Sequence, residues 1–211
     1  ITGIYRSADG GASWSVAKGG FFNPFSYFTD VSVTSSGVVY ATLSSDGPDK
    51  GVWRSPDGLN WTDIAPPGWP AVYDRVVMGI NPSGENEVYF LGVTPGSGKT
   101  TTNYLGDTEE NSLWKYTYVS GDGSGSGGAW EDRSANLPYD GSQFGNFNSQ
   151  GGYDLTVRVK PDDPSVVFIG GTNLFRSTDA FTTSGNTTQI GGYGIGTSYP
   201  YFTLYPNQHP D

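Results

Sequence analysis

Cysteine is missing from this 211-residue chain, and histidine and methionine occur once each. Without thiols there is neither a disulfide framework nor a thiolate metal site. A single imidazole, His209, cannot build a zinc centre, which needs several nitrogen or sulfur ligands. Basic residues are scarce: 11 Lys and Arg stand against 21 Asp and Glu, for a formal net charge of −10. That balance argues against nucleic acid as a partner and favours cations, basic partners or neutral ligands such as sugars. No apolar run is long enough to cross a bilayer as a helix, so no membrane insertion is expected. No signal peptide is visible. Stretches with a 3.6-residue apolar period are lacking as well.

Glycine is abundant, at 32 residues, and aromatic residues make up 15% of the chain. Many short apolar runs are separated by Gly, Pro, Ser and Asp, the pattern of an all-β protein. One phrase recurs. Ser7-Ala8-Asp9-Gly10-Gly11-Ala12-Ser13-Trp14 reads S-x-D-x-G-x-S-W; Ser55-Pro56-Asp57-Gly58-Leu59-Asn60-Trp61 is a copy one residue shorter, and Ser177-Thr178-Asp179-Ala180-Phe181 is a third that lacks the Gly and the Trp. Each follows an aromatic-Arg pair, Tyr5-Arg6, Trp53-Arg54 or Phe175-Arg176. The phrase suits a tight hairpin. An Asp carboxylate and a Ser hydroxyl accept hydrogen bonds from turn N–H groups, glycines allow positive φ where the chain reverses, and the Trp can cover apolar surface at a sheet edge.

These residues resemble the Asp-box, or BNR, repeat of β-propellers such as bacterial sialidases, xyloglucan hydrolases and sortilin/Vps10-like domains. The resemblance implies that Ser7, Asp9, Gly11, Trp14, Ser55, Asp57, Trp61, Ser177 and Asp179 hold turns and do no chemistry. A second set looks like the Vps10/BNR segments of large secreted or surface bacterial proteins: Gln150-Gly-Gly-Tyr153-Asp154-Leu155, Pro161-Asp-Asp-Pro164, Val167-Phe-Ile-Gly-Gly-Thr172, Leu174-Phe-Arg-Ser-Thr-Asp179 and Asn207-Gln-His-Pro-Asp211. That kinship implies an extracellular or cell-surface location. Many such proteins carry a C-terminal sorting domain, and none lies in this sequence.

Aligning the aromatics Tyr5, Trp53, Trp114 and Phe175 gives spacings of 48, 61 and 61 residues, against roughly 40–50 residues for a four-stranded blade. The surplus falls in two places. Pro95 to Asn111 reads as a mobile loop, and Ser120 to Gly128 as an Asp box stretched by a flexible insertion ahead of Trp130. Innermost strands are expected at 30–34, 75–80 and 155–159, second strands at 38–43, 87–92 and 166–170, and fourth strands beginning at Trp14, Trp61 and Trp130, with the last near 187–190. Tyr201-Phe-Thr-Leu-Tyr-Pro206 looks like one more innermost strand. The expectation is a single partial propeller over 1–211, about three full blades and two partial ones, with parts near 1–18, 26–65, 73–135, 153–192 and 199–211. Such an arc looks like a piece of a longer protein whose open faces seek the remaining blades or another chain.

Three inner strands begin with an aromatic beside an acid: Tyr27-Phe28-Thr29-Asp30, Tyr73-Asp74-Arg75 and Tyr153-Asp154. In a propeller this end of the strand lies near the mouth of the central channel. Asp30, Tyr73, Asp74, Arg75, Tyr153 and Asp154 are therefore candidates for ligand binding there, or for capping strand-entry turns. Arg6, Arg54 and Arg176 belong to third strands and do not form the carboxylate-gripping triad of a sialidase. Gly92 to Thr100 falls short of a P-loop, because Val93 stands where the first Gly is required. No cofactor is expected. Asp46, Asp49, Asp107, Glu109, Glu110 and Asp122 are oxygen ligands of the kind calcium takes, without the D-x-D-x-D-G spacing. The leading expectation is a non-catalytic propeller module that binds protein or glycan or builds a surface assembly. The alternatives are a fragment of a xyloglucanase- or sialidase-like glycoside hydrolase, and a structural spacer of an adhesin-like chain.

Overall fold

A computed structural model describes residues 3–20, 27–103, 106–142 and 145–193. Every strand pair among them is antiparallel, and the helical content is two 3-10 turns, Gly125–Gly127 and Ser134–Asn136. No helix among the described residues is long and apolar enough to cross a membrane. The chain opens with a two-stranded sheet, β1 (Ile4–Arg6) and β2 (Ser15–Lys18). Three meanders follow. Sheet I runs in the order β3 (Thr29–Val33), β4 (Val39–Leu43), β5 (Gly51–Ser55), β6 (Thr62–Asp63). Sheet II holds β7 (Val76–Ile80), β8 (Glu87–Val93), β10 (Thr108–Tyr118) and β11 (Gly128–Asp132), with β9 (Lys99–Thr102) paired to the start of β10. Sheet III is β12 (Thr156–Lys160), β13 (Asp163–Gly170), β14 (Leu174–Ser177) and β15 (Thr187–Gly191).

Successive strand residues face opposite sides of a sheet, and this alternation builds the core. On β8, Val88 and Phe90 pack toward sheet I, while Tyr89, Leu91 and Val93 pack toward sheet III. On β4, Tyr40 faces sheet II, whereas Ala41 and Leu43 face β1 and β2. Sheets apolar on both sides must be covered on both sides, so they stack face to face in chain order. Burying a residue such as the fully enclosed Phe90 or Phe147 stabilises the stack by about 1.5–3 kcal/mol each. The connection between β6 and β7 is pinned by Trp69, whose ring sits 5.6–6.1 Å from those of Tyr73, Phe90, Trp114 and Trp130.

Strands β3, β7 and β12 form one edge of each sheet, and these edges lie together. A Cβ on Gly79 would meet the Val157 carbonyl oxygen at 2.6 Å, so glycine is what lets β7 and β12 approach. Edge polar groups are capped by side chains instead of by further pairing. Asp30 Oδ2 accepts from the Met78 N–H (3.0 Å), and Arg158 Nη1 donates to the Met78 carbonyl (3.2 Å).

Three expectations need correction. The 95–111 stretch is no loose loop: Lys99–Thr102 pairs with Thr108–Asn111 as a hairpin extending sheet II. Thr101 Oγ1 donates to the Phe147 carbonyl (2.9 Å) and Asn146 Nδ2 to that of Thr102 (3.3 Å), so the 145–149 segment holds the hairpin in place. The 120–128 insertion is ordered by the 3-10 turn, with Ser124 bonded to Asp122 Oδ1 through both its N–H and its hydroxyl. Strand β13 starts earlier than expected, because Lys160 already pairs with Asp163. The inner strand expected at 201–206 lies outside the described residues.

Candidate functional site

The meander order sorts the connections into two ends. One end carries the tight turns from first to second strand and from third to fourth. The other carries the second-to-third turns and the long connections that deliver the chain to the next sheet. Contacts at both ends tie neighbouring sheets in the same orientation. Ser35 at a tight turn donates to Glu85 at the equivalent turn of sheet II (N–H at 2.8 Å), and Ser45 N–H donates to the Tyr73 carbonyl at the other end (2.9 Å).

The tight end holds the S-x-D hairpins. Ser7 Oγ donates to Asp9 Oδ1 (2.8 Å) and accepts from Gly11 N–H (2.8 Å), while Asp9 accepts from the Ser13 N–H (2.9 Å) and hydroxyl (2.5 Å). Ser55 and Asp57 repeat the scheme with Gly58, Leu59 and Asn60 as donors. The third copy, eroded in sequence, makes the same bonds. Ser177 Oγ accepts from Phe181 N–H (2.9 Å), and Asp179 accepts from Thr183 and Asn186. Ala180 (φ 55°) and Phe181 (φ 60°) take the left-handed backbone that Gly10 (φ 72°) and Gly11 (φ 96°) supply in the first copy. The tryptophans differ. Trp14 folds onto its own turn, donating to the Gly11 carbonyl (3.2 Å), and stays largely exposed instead of covering an apolar edge. Trp61 packs against the cluster formed by Ile4, Ala41 and Leu43, and Trp130, inside β11, donates to the Ile64 carbonyl (2.9 Å).

Hydrogen bonds from Ser13 and Ser7 hold Asp9 down at about 2, and those from Asn60 and Leu59 likewise lower Asp57. At Asp179 burial pushes upward, but the Asn186, Thr183 and Ser177 donors outweigh it and the carboxyl is lowered. All three favour the ionised form in the folded chain. Their stabilisation is therefore complete above the unfolded value near 4 and disappears as pH falls through the lower folded values. Acid titration should loosen the first hairpin as pH falls from about 4 through about 2, seen as a change in tryptophan fluorescence that Asp9→Asn, whose amide does not titrate, diminishes. An acid transition of the same size in Asp9→Asn as in the wild type would remove that role for Asp9.

The opposite end is a rim. Phe28 N–H donates to Ser44 Oγ (3.1 Å), Tyr27 N–H to Asp46 (3.1 Å), and Tyr73 N–H to Ser45 Oγ (3.0 Å). Arg75 Nη1 reaches the carbonyls of Gly152 (3.2 Å) and Tyr153 (2.6 Å), and Glu109 accepts from Ser149 N–H (2.8 Å) and Gly151 N–H (3.3 Å). The six candidates there separate. Tyr73 is buried against Trp69, and burial, followed by the charge of Asp63, pushes its phenol up. Asp30 is spent on the Met78 N–H, and burial raises it despite that bond. Arg75 serves as a strut to the next sheet. Asp74, half-buried, is raised by burial and then by the charge of Asp46. Tyr153 stands 76% exposed, and Asp154 N–H bonds to the Ser149 carbonyl.

The rim also presents groups that no recurring phrase marked. Tyr139 is 56% exposed with Lys99 Nζ 5.1 Å from its ring centre, and Val72 is exposed beside Tyr73. Tyr139 lies in the long β11–β12 connection, which has no counterpart in sheet I, so only its place in an unusually long, ordered connection could have flagged it. Among the described residues no group of three or more His, Asp or Glu side chains is placed to hold a metal. The acids that could suit calcium sit apart on separate partners: Asp46 on Ser44 and Tyr27, Asp49 on Lys18 (3.0 Å), Glu110 on Gly96 N–H, Asp122 on Ser124.

No protein-family model matches the chain, and no curated protein matches it. Its fold is similar to a crystal structure of the GH74 enzyme of Niastella koreensis, with a TM-score of 0.51 and 17% identity. The match covers 89% of this chain and 26% of that one, so the chain spans about a quarter of that structure's length. At this identity the likeness is one of fold: an all-β stack of antiparallel sheets with almost no helix.

Proposed function

We propose that the chain is an arc of a β-propeller, with the S-x-D hairpins as its structural corners, and that its rim binds a neutral glycan outside the cell or at its surface. The observation that carries the reading is the gathering of exposed aromatics at one end of the stack. Tyr27, Phe28, Tyr139 and Tyr153 all lie on the connections that enter inner strands, as does Asp74, and Asp46 sits in the β4–β5 turn at the same end. Exposed rings beside a few fixed polar groups are the composition of a ligand site, and aromatic residues carry a disproportionate share of binding energy. The acidic balance of the chain disfavours anionic ligands. The fold likeness to a GH74 enzyme and the resemblance to secreted propellers support the glycan and the location.

Titration with neutral plant-type oligosaccharides tests the proposal. Tyr153→Ala and Tyr139→Ala are each expected to weaken binding about tenfold, which is about 1.4 kcal/mol. Asp30→Asn, whose carboxyl is occupied by Met78, should leave binding unchanged. Unaltered binding in both tyrosine variants would discard the rim as the site.

The second reading, a glycoside hydrolase fragment, is favoured by one observation. Asp74 is raised by burial and then by the charge of Asp46, and a carboxyl raised in this way suits the general acid of such enzymes. Release of reducing sugar by the wild-type chain, abolished in Asp74→Asn with binding intact, would establish it over the non-catalytic reading.

A further inference from the structure

Tyr153 stands 76% exposed at the rim, yet the backbone that carries it is held from several sides. The three residues before it all take the left-handed region: Gln150 (φ 50°), Gly151 (φ 64°) and Gly152 (φ 91°). A residue such as Gln150, which carries a Cβ, persists there only where the surroundings over-determine it. The loop closes on itself first. The Gly152 and Asp154 N–H groups both donate to the Ser149 carbonyl (3.0 and 3.1 Å), and the Tyr153 N–H donates to that of Gln150 (3.3 Å).

Sheet II then grips the loop through two charged side chains. Glu109, on β10, accepts at Oε2 from the Ser149 N–H (2.8 Å) and hydroxyl (3.1 Å), and at Oε1 from the Gly151 N–H (3.3 Å) and Asn103 Nδ2 (3.4 Å). Arg75, one residue ahead of β7, donates through Nη1 to the carbonyls of Gly152 (3.2 Å) and Tyr153 (2.6 Å). The carboxylate takes N–H groups and the guanidinium takes carbonyls, so the two charges divide the loop's donors and acceptors between them. Hydrogen bonds to ionised groups are the stronger kind. Packing is close as well: a Cβ on Gly152 would lie 3.2 Å from Val93 Cγ2 and 3.6 Å from Arg75 Cβ. From sheet III, the Thr172 N–H donates to the Asn148 carbonyl (2.9 Å) just ahead of the loop.

We infer that Arg75 and Glu109 are positioning residues of the rim: from sheet II they fix the 149–154 loop that leads into sheet III, and so hold the backbone under the Tyr153 ring in place before a ligand arrives. The inference rests on the reading of the rim as a glycan site, and adds to it how one of the binding rings is held. Fixing a binding group in advance raises affinity, because the cost of ordering it no longer falls on the binding step. Neither side chain touches the ligand in this role; both act through Tyr153.

Double-mutant cycles, read by titration with the same neutral oligosaccharides, test it. Arg75→Ala and Glu109→Ala should each weaken binding about fivefold, and Glu109→Gln, which keeps an acceptor, should recover part of the loss. In a Tyr153→Ala background neither alanine change should weaken binding further, since no ring remains to be positioned. Melting temperatures verify each fold, and Glu109→Ala, on a different strand, gives the answer should Arg75→Ala prove unstable. A ligand-free measurement runs alongside. Hydrogen exchange at the Gly152 and Asp154 amides should quicken about tenfold in Arg75→Ala, with sheet I unchanged. Losses from Arg75→Ala and Tyr153→Ala that simply add would mean that Arg75 meets the ligand itself, and would overturn the positioning role. So would wild-type exchange at both amides in the two alanine variants. Full affinity in Arg75→Ala and Glu109→Ala beside a weakened Tyr153→Ala would overturn this inference alone. Full affinity in Tyr153→Ala, or no binding by the wild-type chain, would overturn the reading of the rim and this inference with it.

Discussion

Phe181→Ala is expected to destabilise the chain by about 3–5 kcal/mol, the cost of removing a fully buried aromatic and leaving its cavity. Phe181 is wholly enclosed with Phe147 and Phe175 between sheets II and III. Its backbone adds a sharper test. At φ 60° it sits where a residue with a Cβ costs about 1–2 kcal/mol over glycine. Ser177 Oγ holds its N–H, and Asn136 Nδ2 holds its carbonyl (2.8 Å). Burial of the ring offsets the strained backbone. Phe181→Gly should therefore be no less stable than Phe181→Ala, reversing the ordinary penalty of about 0.5–1 kcal/mol for glycine. Phe147, for which no positive φ applies, should show that ordinary penalty in the same pair of substitutions. Urea unfolding of the four variants decides. A Phe181→Gly chain clearly weaker than Phe181→Ala would mean that the turn stores no backbone strain.

Arg133→Met is the second large effect, about 2–3 kcal/mol, the range for losing hydrogen bonds to a charged group. The Arg133 side chain is buried, with Nη1 on the Ala180 carbonyl and near Tyr89 Oη (3.4 Å), and Nη2 on Glu131 (2.9 Å). Methionine fills much of the volume and leaves the Ala180 carbonyl without its donor. Lysine keeps the charge but not the planar fork, so Arg133→Lys should recover only part of the loss. The damage should be local before it is global. Hydrogen exchange is expected to speed up first across 177–183, the hairpin that Arg133 braces. Uniform acceleration over sheets I and III alike would show that Arg133 acts through general stability.

Much of the stack was legible because its signals are local. Unbroken apolar runs at 88–91 and 38–41 mark strands with two apolar faces, and Ser7-x-Asp9 and Ser55-x-Asp57 mark hairpins through groups only two residues apart. Phe181 was harder. Its sequence looks like erosion of a glycine motif, yet neighbouring sheets supply the burial that holds it in glycine's conformation. Strand β9 was missed because Lys-Thr-Thr-Thr carries no apolar pattern, and its order comes from Phe147 and Asn146, more than 40 residues away. At the rim, the aromatic-acid phrases led to six residues of unlike fate. Tyr73 and Tyr153 share a neighbour in sequence, Asp74 or Asp154, but Trp69 encloses the first and nothing comparable encloses the second.

By itself, then, the order of residues determined the strands, the reversing turns and the all-β class, since these depend on the pleat period and on bonds closed within a few residues. Only the tertiary structure decided which arginine braces which hairpin, which acid is spent on a neighbouring strand, and which aromatics reach solvent. Those outcomes hang on contacts between sheets, where partners lie tens of residues apart and one sheet's face is completed by the next.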